Sequence, residues 1–368
     1  CSSVHIITAH SKKGGELKID FEALCRLNGT LVFLMGVTAM PMICKGLLDA
    51  GMDPQMPAAI LQQGTSAMQK KVVATISDLP EKAQQAQIQA PAVLVIGKVC
   101  ALADHLSWTQ KRALDGVRVI LTRPKELISR MSKSLSGLGA EVIELPSIDL
   151  VPYEQNEPLQ TALEDIVSYQ WVAFTSAMGV RFFFDFLQKN RVDVRRLSHL
   201  RFAVIGQGTR DELAKHGIFA DLMPSSYYAK DLAQALCQTM QKGQRVLLPR
   251  ARIGSKDLTD ILTQNGIEFT DVALYDTIYQ SHNTHAVEKL IDDGQVSCAV
   301  FTSASTVRGF AATMQGKDLS LLTAACIGEK TAQAAKEYNM KVMIAKEATI
   351  DSVTQMLVEH ADELRLNR

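Results

Sequence analysis

The stretch Trp171 to Phe183 reads WVAFTSAMGVRFF, and Cys298 to Phe310 reads CAVFTSASTVRGF. Both pass through Phe-Thr-Ser-Ala to Val-Arg, at an offset of 127 residues (174 to 301). In each, an apolar run without polar alternation leads into a Thr-Ser pair and then a helical pattern. Such a run marks a strand covered on both faces, as in a parallel sheet with crossover helices. Ser or Thr directly after it suits a helix N-cap. A second motif recurs in the same order. Ile205-Gly206-Gln207-Gly208-Thr209 returns as Ile327-Gly328-Glu329-Lys330-Thr331, offset by 122 residues (205 to 327). Two motifs repeating in order at nearly one spacing imply two similar α/β lobes, each with the same pair of strand-to-helix turns.

Working outward, Val117 to Thr122 (VRVILT), Arg201 to Ile205 (RFAVI), Arg245 to Leu248 (RVLL) and Leu322 to Ile327 (LTAACI) follow the same plan. Residues 112 to 368 are therefore expected to be α/β and doubly wound. Residues 1 to about 108 look different. Thr30 to Met35 (TLVFLM) and Ala92 to Ile96 (AVLVI) read as strands, with helices expected at Pro41 to Ala50, Pro57 to Gln62 and Ser77 to Gln87. The polar stretch from Trp108 to Gly116 is the candidate linker. A chain of 368 residues is too long for one ordinary core, which agrees with two or three domains.

Composition excludes several classes. Lys plus Arg (39) balances Asp plus Glu (39), so total charge points to neither nucleic acid nor a membrane surface. An anionic ligand would have to be held by local groups. The longest apolar stretch, Leu31 to Cys44, is broken by Gly36, Thr38 and Pro41 and is too short to span a bilayer. The seven cysteines are scattered, with no C-x-x-C pair, a pattern expected of reduced thiols in a cytoplasmic protein. The chain opens with Cys1 rather than Met and shows no signal peptide, so it is expected to be a piece of a longer product.

The chemistry-bearing positions gather in the turns. Thr175-Ser176, Gly206 to Thr209, Thr302-Ser303 and Gly328 to Thr331 each stand where a strand meets a helix. In open α/β sheets, ligands bind beyond the carboxyl ends of strands, where helix N-termini present free N–H groups and favour anions. The plain alternative is capping alone, worth about 1 kcal/mol per Ser or Thr. Four such turns on two lobes suit a ligand carrying many carboxylates. Arg123 after Thr122, and Arg250 within Pro249-Arg250-Ala251-Arg252, add cations at strand ends, although a lone arginine is ordinarily a solvated surface group. Tyr275, in a short β run, has a hydroxyl able to donate a proton; packing is the alternative role. His282 and His285 form an isolated H-x-x-H with no third ligand near, so no metal site is expected. No G-x-S-x-G or P-loop occurs in residues 112 to 368, and Gly206-Gln207-Gly208 lacks the third glycine of a dinucleotide motif.

Residues 112 to 368 resemble uroporphyrinogen-III synthase. The markers are Leu121-Thr122-Arg123-Pro124, Phe174-Thr175-Ser176, Ala203-Val204-Ile205-Gly206 with Thr209, and Leu247-Leu248-Pro249-Arg250. Tyr275-Asp276-Thr277, Phe301-Thr302-Ser303 and Ile327-Gly328 with Thr331 complete the set. Each is weak alone; seven in order are specific. The resemblance implies two α/β lobes joined by a two-stranded ladder at 148–153 and 272–278. One lobe is then discontinuous (113–147 and 279–368) and the other spans 154–271. It implies cyclisation of hydroxymethylbilane to uroporphyrinogen III, with loss of water and no cofactor. Tyr275 would assist hydroxyl loss, Ser303 and Thr331 would line the cleft, and this part would be monomeric.

Residues 1 to about 108 resemble the C-terminal domain of uroporphyrinogen-III C-methyltransferase, and 109–112 would link the two parts. The matching pieces are Thr8-Ala9-His10, Thr30 to Gly36, Pro57-Ala58-Ala59 with Gly64-Thr65, and Pro91 to Val99. The resemblance implies that Met35 and Gly64 contact S-adenosylmethionine, and it allows a homodimer through this half. The glycine-rich turn and G-G-D-P loop of that family are not in this sequence, so methylation is not expected of this chain alone. Two other readings stand beside the synthase. One is a bifunctional methyltransferase–synthase of which this chain is a part. The other is a non-enzymatic two-lobed protein closing on an anionic ligand.

Overall fold

Three five-stranded sheets organise the computed structural model, which describes residues 2–9, 19–107, 112–280, 284–314 and 316–366. Cys1, His10, His282 and residues 108–111 of the expected linker stretch lie outside the described residues.

The first sheet holds β1 (Val4–Thr8), β2 (Thr30–Leu34), β3 (Pro57–Gln62), β4 (Lys70–Thr75) and β5 (Ala92–Ile96), in the order β1-β2-β5-β3-β4. β1 and β2 are parallel, while every other pair is antiparallel. Helices form at Met40–Asp49 and Leu79–Gln85. Pro57 to Gln62 corrects the sequence reading, being a strand paired on both sides rather than a helix. Its alanines favour a helix, but intrinsic propensity is a weak determinant and two flanking ladders override it. Pro57 takes the first position, where a strand tolerates a missing donor.

The chain then forms β6 (Arg118–Leu121) and β7 (Glu141–Glu144), and crosses by β8 (Ile148–Pro152) into a second sheet of β9 (Trp171–Phe174), β10 (Arg201–Val204), β11 (Arg245–Ala251) and β12 (Glu268–Tyr279). It returns to the first lobe for β13 (Cys298–Phe301), β14 (Thr323–Cys326) and β15 (Lys341–Ile344). The first lobe is parallel throughout, in the order β15-β14-β13-β6-β7. The second runs β10-β9-β11-β12-β8, parallel except for β8.

Both sheets are buried on two faces, as unalternated apolar runs require. Val119, Leu121 and Val300 enter one core of the first lobe, while Ile120, Ala299 and Phe301 enter the other. In the second lobe Val172 and Phe174 face one core, Trp171 and Ala173 the opposite one.

The lobes are joined where β12 outruns its parallel neighbour. β11 pairs with Glu268 to Tyr275, and β8 pairs antiparallel with Tyr275 to Tyr279. The two chain crossings lie side by side, with Gln280 N–H donating to the Ser147 carbonyl at 3.1 Å.

Candidate active site

At the carboxyl ends of β9 and β13 the chain turns through Thr175-Ser176 and Thr302-Ser303 into the helices Ala177–Lys189 and Ala304–Thr313. Ser176 (φ −161°, ψ 154°) and Ser303 (φ −164°, ψ 160°) hold nearly the same conformation. Each hydroxyl oxygen accepts a backbone N–H three residues on, Gly179 at 2.9 Å and Thr306 at 3.2 Å. Capping, the alternative weighed for these serines, is thus one of their roles. Thr306 Oγ1 accepts in turn from Ser303 N–H at 3.3 Å, completing a capping box. Thr175 and Thr302 are half-buried beside them.

The neighbouring strands β10 and β14 end in the second pair of turns. Gly206 and Gly328 are extended N-caps of the helices Gln207–Ala214 and Glu329–Lys336 and bring no side-chain acceptor. The N–H groups of Gln207, Gly208, Glu329 and Lys330 consequently find no acceptor among the described residues. A side chain at Gly206 would stand 2.8 Å from the Tyr227 ring. Thr209 and Thr331 are buried at the same place in each lobe. Ile205 N–H to the Phe174 carbonyl and Ile327 N–H to the Phe301 carbonyl, both 3.0 Å, fix the two turns of each lobe side by side. Each lobe therefore offers a cluster of open N–H donors at the carboxyl end of its sheet, where an anion is favoured.

Tyr275 sits on β12 with 5% of its surface exposed, packed on the Phe182 ring at 5.1 Å. Its hydroxyl meets Ser176 Oγ at 3.1 Å, which brings the candidate acid onto one of the four turns. Burial pushes the phenol above its ordinary pKa and the Ser176 hydrogen bond opposes this in part, so the group stays protonated at neutral pH. Arg123 follows β6 with its Nε buried and unpartnered, and burial pushes its pKa down to about 10. Arg123 is half-buried, and a cation partly withdrawn from water favours an anion as its partner.

Two other candidates are engaged within the fold. Thr122 is fully buried and its hydroxyl donates to the Val300 carbonyl at 2.7 Å, which ties β6 to β13. Arg250 lies within β11, which runs on to Ala251, and pairs with Asp271 at 2.6 Å with 8% of its side chain exposed. The proline before it is tolerated because β9 flanks β11 only at Val246 and Leu247. Arg252 is the exposed cation of that run. Its guanidinium lies over the Tyr153 ring and meets Asp276 at 3.1 Å, while the Tyr153 hydroxyl donates to Asp276 at 2.6 Å. Sequence reading missed this trio because the partners are brought together by the β8–β12 pairing, which leaves no local signal. His285 is 94% exposed beside Glu288, and among the described residues no group of three His, Cys, Asp or Glu side chains could hold a metal.

In the first sheet, β2 and β3 both run antiparallel to β5, so Met35 and Gly64 come to one end. Met35, Gln63 and Thr65 hold left-handed φ values of 55°, 46° and 70° there, strain of the kind found at ligand clamps. A cleft of 550 Å³ lined by Asn28, Thr30, Met56 and Gly97 opens at the opposite end.

Residues 129–355 match the model of the uroporphyrinogen-III synthase HemD family. This chain belongs to that family. Over 359 residues it is 42% identical to the porphyrin biosynthesis protein HemD of Ruminiclostridium josui, covering 98% of this chain and 71% of that protein. A uroporphyrinogen-III C-methyltransferase of Bacillus subtilis is 33% identical over 217 residues, covering 59% of this chain and less than half (44%) of that protein. Among solved structures, a mutant uroporphyrinogen III synthase from Thermus thermophilus aligns at a TM-score of 0.49 and 16% identity, covering 67% of this chain and 99% of that one. The uroporphyrinogen-III synthase part of the chain is thus joined to a methyltransferase-like part. Among the described residues no helix is long and apolar enough to cross a membrane.

Proposed function

We propose that the two lobes close hydroxymethylbilane into uroporphyrinogen III, inverting one pyrrole ring and releasing water. The observation that carries this reading is the duplicated pair of turns. Their open N–H groups suit a flexible chain of many carboxylates, and a buried, protonated phenol stands on one of them. The Tyr275 O–H donates a proton to the departing hydroxyl, which leaves as water and turns the terminal ring into an azafulvene. The far ring attacks through its substituted carbon. The resulting spiro-pyrrolenine fragments and recloses inverted, and loss of a ring proton restores the phenol. The protein's larger contribution is holding the chain in the spiro-forming geometry. Arg123 joins the turns in binding carboxylate.

No cofactor enters this reaction. Met35 and Gly64 would hold S-adenosylmethionine only together with a methyltransferase N-terminal domain, and the bent backbone at their end of the sheet fits one side of such a site. The synthase part acts as a monomer in the cytoplasm, needing neither nucleic acid nor membrane, and a homodimer would form through the methyltransferase-like part.

The test is to incubate the chain with freshly made hydroxymethylbilane, oxidise, and resolve the uroporphyrin isomers by chromatography. Unaided closure gives the symmetrical type I isomer, so a predominance of type III is the expected result. Type I alone, from folded protein, overturns the reading.

A further inference from the structure

Where the second lobe has Gly206-Gln207-Gly208-Thr209, the first has Gly328-Glu329-Lys330-Thr331. The repeat thus sets a lysine against a glycine in otherwise matching turns. A cation in the first turn of a helix opposes the helix dipole, so Lys330 is locally unfavourable in the helix Glu329–Lys336. A residue that breaks a local rule in this way is expected at a functional position.

Its partner lies in the other lobe. Lys330 Nζ meets Asp257 Oδ2 at 2.6 Å, and Asp257 stands in the first turn of the helix Lys256–Gln264, capped by Ser255. Both side chains are about half exposed, 55% and 46%. The Lys330 hydrogen bond, then that of Ser255, holds the Asp257 carboxyl below the usual carboxylate range, with Lys230 from the helix Ala229–Thr239 adding to the pull. A carboxylate thus rests between ammonium groups of two lobes. An exposed ion pair of this kind is weak and exchanges readily.

We propose that Lys330 binds a carboxylate of the linear tetrapyrrole, and that Asp257 occupies that place in the empty cleft and gives it up when substrate enters. This rests on the synthase reading. It also gives the two lobes unequal grips, because the matching turn of the second lobe carries glycine. A chain whose two ends differ is thereby held in one direction.

The test compares Lys330→Gln, Asp257→Asn and the double variant by initial rates of type III formation across hydroxymethylbilane concentrations. Lys330→Gln is expected to raise KM about five- to tenfold, the loss of one charge-assisted contact. Asp257→Asn frees the ammonium and lowers KM, and the double variant behaves like Lys330→Gln. An unchanged KM in Lys330→Gln, or an unchanged or raised KM in Asp257→Asn, overturns the proposal while leaving the synthase intact. A wild-type chain giving only type I isomer overturns both.

Discussion

Arg250 reaches through β11 to the Asp271 carboxylate with two donors, at 2.6 and 2.8 Å, and to the Ser255 carbonyl at 2.8 Å. A side chain on Gly254 would collide with its guanidinium at 2.5 Å, so the glycine is the roof over that group. Arg250→Ala leaves a carboxylate without its cation beneath a new void. Removing one partner of a buried pair costs about 3–5 kcal/mol, and the 37% exposure of Asp271 lets water recover part of it. A loss of about 2 kcal/mol in urea unfolding is expected. A stable variant whose only change is a raised KM would return Arg250 to the ligand. At the same scale, Cys298 is fully buried and its thiol is pushed up to about 12 by burial. The raised value means that the native state holds the proton more tightly than the unfolded chain. The associated stability is complete below the ordinary value of 9.0 and is lost as pH rises from there toward about 12. Wild type should therefore lose more stability than Cys298→Ala between pH 9 and 11, and parallel unfolding curves for the two would refute it.

The helix Ala304–Thr313 lies against the start of β8 because Gly309 lets the two backbones touch. A Cβ there would stand 2.5 Å from the Ser147 carbonyl oxygen and 2.7 Å from Ile148. Ser147 is itself fixed, its one hydroxyl proton shared between the Thr122 and Thr306 carbonyls, so neither side can yield cheaply. Gly309→Ala should cost about 1–3 kcal/mol as overpacking and shift the crossing between the lobes. A thermal midpoint equal to wild type would show that the helix slides free. This contact also marks how far sequence reaches at the element scale. The paired Thr-Ser turns were legible because strand, cap and helix are contiguous and occur twice. The role of Gly309 was not, since it depends on a strand more than 150 residues earlier. Pro57 to Gln62 misled for the same reason, as did the length of β11. In both, neighbours distant in sequence decided the conformation, and an isolated six-residue apolar run does not separate helix from strand.

Across the whole molecule, the methyltransferase-like part meets the synthase on the side away from the turns. The Ala67 N–H, in the loop that follows Gly64, donates to Glu141 Oε2 at 2.7 Å, and the same oxygen pairs with Arg118 at 3.0 Å. Arg118 is 6% exposed in its side chain and also donates to the Gln295 carbonyl at 2.8 Å. Glu141 and Arg118 open β7 and β6, so they mark the amino ends of a parallel sheet whose ligand turns stand at the carboxyl ends. Docking there leaves the turns clear for a large, flexible substrate. It also ties the bent loop carrying Gly64 to a strand of the synthase. Glu141→Ala should therefore act at the docking edge, where it frees the Ala67 amide and also leaves the buried Arg118 guanidinium without its carboxylate, a cost to stability that does not reach the turns. The Ala67 amide loses its acceptor and exchanges its proton faster by about tenfold, for a bond worth about 1.4 kcal/mol. The proportion of type III product is expected to stay at the wild-type value, because no turn residue touches Glu141. Unchanged exchange at Ala67 would mean that the two parts are not held by this contact. A fall in type III product would mean that the docking edge and the cleft are coupled through β6, which pairs with β7, and the strands beyond it in the first lobe.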